Sequence, residues 1–225
     1  MAVLVGGLDS AVLLAELSRR ARRIVPLYIR FGLAWEEAEH ASMLRFLDAV
    51  RLPVVAPLQV LELPITDLYG PHWSVTKRSV PDARSDDRSV ELVGRNLLLL
   101  SKSMVFAALN SLGAIGLAIT EANPFSDATP FFLNQLATLS RAAVGRPVRV
   151  LTPFRRLHKS DVIARGSGLP LHLTCSCIAP EGEIHCGACN KCAERQRGFW
   201  EAGVIDKTRY SRPLDPSEFR RSALG

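Results

Sequence analysis

Apolar positions in this chain fall into two alternating regimes. Residues 2–5, 24–31, 53–63, 114–120 and 148–151 are short, nearly continuous apolar runs of strand length. The intervening stretches follow helical spacing and predict helices over residues 10–20, 35–50, 97–109, 129–143 and 160–165. In the first helix Ala11, Leu14, Ala15, Leu17 and Ser18 share a packing side, while Glu16, Arg19 and Arg20 favour solvent. Residues 97–109 are apolar on most faces, the pattern of a helix covered by other elements. Apolar strands alternating with helices predict an α/β fold, a doubly wound, mostly parallel sheet of Rossmann-like type. Ligands of such sheets bind beyond the carboxyl ends of the strands, near the point where strand order reverses. The loop after residue 5, residues 121–127 and the segment before Lys159 all follow predicted strands, so they are expected to converge there.

Two regions break the rhythm. Residues 65–92 hold Gly70, Pro71, Pro81 and a polar run from Asp82 to Arg88, and are expected to form a long irregular cover over a ligand, with His72 and Trp73 available to line it. Residues 208–225 are polar, basic and proline-containing, and are expected to be partly disordered. The predicted organisation is a nucleotide-binding α/β domain over residues 1–170 and a smaller C-terminal region over residues 171–225.

A length of 225 residues, 48% hydrophobic and 22% charged, describes a globular protein, and no run of about 18 apolar residues is present to span a membrane. Residues 2–5 are too short for a signal-peptide core and carry no basic leader, so a cytoplasmic protein is expected. The net charge of +6 attracts anionic ligands such as ATP. It also permits nucleic acid, but no aromatic residues interleave with the arginines to form a stacking platform, so nucleic acid is not favoured over an arginine-rich surface.

Candidate chemistry begins at the N-terminus. The first apolar run meets Gly6-Gly7-Leu8-Asp9-Ser10 and then a helix. A strand, a glycine turn and a helix N-terminus together present free backbone N–H groups to an anion. The glycines permit close approach and a positive φ. Asp9 and Ser10 suit either phosphate binding or helix capping. No Gly-Lys-Ser/Thr follows, which separates the loop from the Walker A type.

All five cysteines lie between residues 175 and 192. Cys177, Cys186, Cys189 and Cys192 have the spacing C-x8-C-x2-C-x2-C, and four thiolates with no open position describe a structural Zn²⁺ site. An iron–sulfur cluster and redox-active thiols are the alternatives. Cys175 is the spare and could displace Cys177; His185 is read as a neighbour of the site rather than a ligand.

The glycine segment resembles the loop Ser-Gly-Gly-x-Asp-Ser of the N-type ATP pyrophosphatases (PP-loop enzymes), with Val5 in place of the first Ser. Three further segments make the chain similar to one branch, the 7-cyano-7-deazaguanine synthase family. Val93-Gly94-Arg95-Asn96 resembles its Pro-Gly-Arg-Asn, and Pro153-Phe154 with Lys159 resembles its Pro-Leu and Lys. Ser176-Cys177 with the run from His185 to Cys192 and Arg195 resembles its zinc segment. The fold implied is that of the adenine nucleotide alpha hydrolases.

The resemblance implies an ATP-dependent ligase that adenylates a carboxylate, then uses ammonia to turn 7-carboxy-7-deazaguanine into the nitrile preQ0, a queuosine precursor. ATP and Mg²⁺, a structural Zn²⁺ and a homodimer follow from it. Leu4, Val5, Gly6, Gly7, Leu8, Asp9 and Ser10 would form the nucleotide loop. Gly6, Gly7 and Ser10 would cradle phosphate, Asp9 would organise the loop or Mg²⁺, and Lys159 and Arg95 would offset phosphate charge. Asp9, Ser10 and Lys159 are thus the catalytic candidates, with Asn123 and Asp127 at the acceptor. The family's Gly-Tyr-Pro-Asp-Cys-Arg pocket segment is replaced by Pro124-Phe125-Ser126-Asp127-Ala128-Thr129, so the resemblance speaks more fully for the nucleotide than for the acceptor. A PP-loop enzyme of another specificity, such as tRNA modification, and a nucleotide-binding relative without catalysis are the alternatives.

Overall fold

A computed structural model describes residues 1–215 of the protein. Five strands, β1 (Ala2–Leu4), β2 (Val25–Arg30), β3 (Gln59–Glu62), β4 (Ala114–Gly116) and β5 (Arg149–Leu151), form one parallel sheet in the order β3-β2-β1-β4-β5. The helices are α1 (Leu8–Ser18), α2 (Glu36–Val50), α3 (Thr66–Tyr69), α4 (Trp73–Thr76), α5 (Arg95–Leu109), α6 (Pro130–Val144), α7 (Lys159–Arg165) and α8 (Asn190–Glu201). The strand order reverses between β1 and β4, and Ala2 of the central strand lies opposite Val25 on one side and Ile115 on the other.

Side chains alternate across the sheet with the period of two that a strand imposes. Ala2, Leu4, Leu27 and Ile29 join one core with Leu100 and Met104 of α5 and Leu133 and Leu136 of α6. Val3 and Tyr28 point the other way, into a core with Leu13 and Leu14 of α1, Met43 and Phe46 of α2, Ile163 of α7 and Phe199 of α8. Helices therefore cover both faces, as the doubly wound reading requires. This layering explains why the central strand is apolar at every position.

The element boundaries differ from the sequence reading in ways that matter for the site. Helix α1 starts at Leu8 with Gly7 as its cap, which places Asp9 and Ser10 in its first turn. Strand β4 ends at Gly116, Leu117 N still donates to Leu151 O of β5, and residues 117–120 line a cleft. Residues 65–92 are not a structureless cover. They contain α3, α4 and a 3-10 turn over Asp87–Val90, and they are tied to the cysteine segment: the Asn190 backbone N–H donates to Pro81 O (3.0 Å), and its side-chain amide to Ser85 O (2.9 Å). His72 accepts from Ser74 N and caps α4 rather than facing the cleft, while Trp73 stacks on Trp35 (centroids 5.8 Å apart, planes at 18°) and lines it.

The first part of the tail is docked, not loose. Ser211 N donates to His185 O, Arg212 N to Cys186 O and Leu214 N to the Gln196 side chain. The remainder of the predicted disordered tail, residues 216–225, lies outside the described residues. Among the described residues no helix is long and apolar enough to cross a membrane.

Candidate functional site

The three loops expected to converge do so, at the carboxyl edge of β1 and β4, around a cleft of about 730 Å³. Gly7, Leu8 and Asp9 form one wall, residues 117–120 and 122–125 a second, and His158, Lys159 and Ser160 a third. Trp35, Glu39 and Arg95 close one side, and Lys191, Glu194 and Arg197 of α8 the other.

At the glycine loop the backbone departs from one expectation: neither Gly6 nor Gly7 has a positive φ. Their lack of a side chain is needed for proximity instead. A Cβ on Gly7 would stand 2.9 Å from the Cys175 carbonyl oxygen, and one on Gly6 would stand 3.1 Å from the Glu39 carboxylate. The Ser10 hydroxyl folds back over the loop, accepting from Gly6 N (3.0 Å) and donating to Gly7 O (2.8 Å). The first amides of α1 have no acceptor within the helix and stand where an anion would be received. Val5 is buried and packs with Leu8 and Ala11, and Leu4 belongs to the opposite core, so both support the loop from below.

Lys159, the first residue of α7, binds Asp9 Oδ2 at 2.6 Å and Glu194 Oε1 at 3.1 Å; Glu194 in turn binds Lys191 at 2.7 Å. Burial works against charge on Lys159, but Asp9 and Glu194 outweigh it and raise its pKa. Burial likewise favours a neutral Glu194, yet Lys159 and Lys191 hold its carboxyl down to about 2. Close packing of α7 on α8 makes this possible: a Cβ on Gly198 would meet Lys159 Cγ at 2.7 Å. The other oxygen of Asp9, Oδ1, is buried without a hydrogen-bond partner, as is Arg95 Nε across the cleft. A buried polar atom with no partner is costly, and Asp9 and Arg95, which each carry one, both line this cleft.

Arg95 opens α5. Gly94, at φ +75°, supplies the left-handed turn that aims it, and its guanidinium lies 5.6 Å from the Phe31 ring centre. Behind it stand two carboxyls of α2. Glu36 accepts from Phe31 N (2.7 Å) and Gly32 N (3.0 Å), and Glu39 accepts from the Tyr28 hydroxyl (2.9 Å). Burial raises the pKa of both, and Arg95 pulls the other way.

The acceptor candidates sit at the far side. Asp127 lines the cleft, but both oxygens are engaged by Asn96, from its backbone N–H (2.8 Å) and its side-chain amide (3.0 Å). Asp127 thereby caps the start of α5 and fixes Arg95. Asn123 Oδ1 accepts from Phe125 N at 3.0 Å, an Asx turn that shapes the loop. Thr129 caps α6 by accepting from Phe132 N.

Below α8 the sulfurs of Cys177, Cys186, Cys189 and Cys192 lie within 4.8 Å of one another, all four residues buried. Cys177 and Cys189 are 4.0 Å apart and Cys186 and Cys192 3.9 Å, close to the edge of about 3.8 Å that a tetrahedron of Zn–S bonds near 2.3 Å would have. That spacing suits one ion such as zinc and is too tight for an iron–sulfur cluster. Cys186 N and Ala179 N point at Cys177 Sγ (3.3 and 3.4 Å), hydrogen bonds that favour a thiolate. Cys175 stays outside the set; it lines the cleft beside Gly7, and burial pushes its thiol up to about 12. His185 is no ligand either: burial lowers it to about 4, and as a neutral ring it accepts from Ser176 N. Arg195, which the resemblance places with the zinc segment, is fully buried and ties Thr174, Ser176, Thr208 and Leu171 O together.

Sequence reasoning passed over Glu39, Glu194, Lys191 and Trp35. Glu194 alone carried a usable signal, since it follows the last cysteine by two residues on a helix that the cysteines anchor.

Comparison with known proteins adds a family. The model described as queuosine biosynthesis protein QueC matches residues 1–203. A protein of Methanothrix thermoacetophila named 7-cyano-7-deazaguanine synthase is 31% identical over 222 residues, covering 91% of this chain and 95% of that protein. Proteins of the same name from Magnetococcus marinus and Anaeromyxobacter dehalogenans are 33% and 27% identical, each over 227 residues and more than nine-tenths of both chains.

Proposed function

The chain belongs to the QueC family of queuosine biosynthesis proteins, and on that premise we propose that it is an ATP-dependent 7-cyano-7-deazaguanine synthase. It adenylates 7-carboxy-7-deazaguanine and, with ammonia, converts it to preQ0. Carboxylates resist ammonia because oxide is a poor leaving group. Transfer of AMP converts the carboxylate to a mixed acyl-phosphate anhydride, pyrophosphate departs, and ammonia then displaces AMP to give the amide. A second activation of the amide oxygen permits dehydration to the nitrile. The protein holds phosphates, orients the acceptor and stabilises developing charge.

One observation carries this reading beyond the family match: Asp9 and Arg95, each with a buried polar atom that lacks a hydrogen-bond partner, both line one cleft beside the glycine loop. Gly6, Gly7, Ser10 and the start of α1 receive phosphate once the Ser10 hydroxyl turns away from Gly6 N. Lys159 and Arg95 offset its charge, and Asp9 positions Lys159 or meets Mg²⁺. The acceptor lies toward Asn123, with Asp127 holding that wall through Asn96. Zinc in the cysteine set is structural, since four thiolates leave no coordination position for chemistry. The protein is read as a cytoplasmic homodimer acting on small molecules.

Incubation of zinc-loaded protein with 7-carboxy-7-deazaguanine, ammonium and Mg-ATP is expected to yield the nitrile by mass spectrometry, together with AMP and pyrophosphate. Absence of acid-dependent ATP turnover would sink the assignment.

A further inference from the structure

We propose that Glu39 is the catalytic base that generates ammonia in the cleft, taking a proton from ammonium beside the activated carboxyl. This rests on the adenylating reading above and adds a residue to it. At neutral pH ammonia is almost entirely ammonium, which has no lone pair with which to attack. A proton acceptor is therefore needed where the acyl-adenylate waits, and the acidic groups facing the cleft are few. Asp9 and Glu194 are paired with Lys159, Asp127 is held by Asn96, Asp87 accepts from Asn190, and Glu201 is exposed at the far end of α8. Glu39 has no ion-pair partner among the described residues, and its carboxylate lies against Gly6, where a phosphate on the glycine loop would be its neighbour.

Its surroundings fit the task. From β2 the Tyr28 hydroxyl donates to Oε2 at 2.9 Å and fixes the carboxylate. Arg95 approaches from α5, Glu36 from one turn earlier on α2, and the buried Cys175 thiol from the segment above. Trp35, whose carbonyl accepts from Glu39 N, supplies an aromatic wall suited to a small cation. Burial moves the proton affinity of Glu39 upward, and Arg95 and the Tyr28 hydroxyl oppose that shift.

The step balances. Ammonium gives one proton to Glu39, and the resulting ammonia forms a C–N bond at the acyl carbon. The C–O bond to AMP breaks with its electron pair going to the phosphate, and the surplus proton on nitrogen leaves with AMP. Glu39 returns its proton to solvent as products depart.

Wild-type protein and Glu39→Gln are compared in three measurements: ATP–pyrophosphate exchange driven by 7-carboxy-7-deazaguanine, product formation with ammonium, and hydroxamate formation with hydroxylamine. Hydroxylamine is largely neutral at about pH 7 and needs no base; Gln retains an acceptor for Tyr28. The variant is expected to keep exchange and hydroxamate formation while losing ammonium-dependent product by about a hundredfold or more. The residual rate should climb with pH as free ammonia increases. Equal loss in all three measurements would make Glu39 a nucleotide-binding group and overturn the proposal, as would unchanged ammonium turnover. Lack of exchange in the wild type would instead overturn the adenylating reading itself.

Discussion

Lys159 shows how much depends on a single side chain in this cleft. It is an ammonium group with two carboxylate partners, and its side chain is 14% exposed. Replacing Glu194 by Gln leaves Asp9 as its sole anionic partner and is expected to cost about 1–3 kcal/mol, less than for a fully buried pair because Glu194 is 26% exposed. The pH dependence follows from the directions of the shifts. Glu194 is held below its unfolded value, so its contribution is complete above about pH 5 and fades as pH falls toward about 2. Lys159 is raised, so its contribution is complete below about pH 10 and is lost only as pH climbs beyond. The difference in melting temperature between wild type and Glu194→Gln should therefore be flat from about pH 5 to about pH 8 and shrink in acid, which a pH series of thermal melts checks.

Among the elements, α8 joins two jobs. Its cap is Cys189 and its first turn holds Cys192, while Glu194 and Arg197 from the same helix face the cleft and Arg195 ties the tail. The loop at Gly7 is the reciprocal contact, touching the Cys175 carbonyl. Gly7→Ala forces that carbonyl away at an expected cost of about 1–3 kcal/mol, enough to weaken ATP binding about tenfold or more by calorimetry while zinc content stays unchanged. Gly94→Ala makes a useful contrast. A Cβ there meets nothing within 4 Å, so only the φ of +75° is penalised, and a loss of about 1 kcal/mol in denaturant melts is expected.

At the scale of the molecule, the cysteine segment is a wall of the active cleft as well as an appendage. Residues 81–87 are pinned to Asn190, and the tail through Leu214 is pinned to Gln196. Removing zinc with a chelator is expected to release both together, exposing residues 65–92 to limited proteolysis and weakening ATP binding, with metal restoring both. Persistent ATP affinity in the metal-free protein would show that α8 holds its place without the ion.

Much of this was legible along the chain. Apolar runs of strand length between helical periods dictate a parallel sheet covered on both faces, because strands apolar at every position must be buried on both sides. Gly-Gly-Leu-Asp-Ser, Gly-Arg-Asn and the cysteine spacing are local, since each places its groups within a turn or two. Glu39 on α2 and Glu194 on α8 carry no such signal. An isolated glutamate on an amphipathic helix reads as solvated surface, and nothing nearby in sequence says that Gly6 or Lys159 will stand against it. The same holds for Arg195, whose burial depends on Thr174 and Thr208 arriving from opposite directions. Local spacing set the strands, the glycine turn and the four-cysteine cluster. Long-range packing decided which charges are paired, which are orphaned, and which carboxylate is left beside the glycine loop to do chemistry.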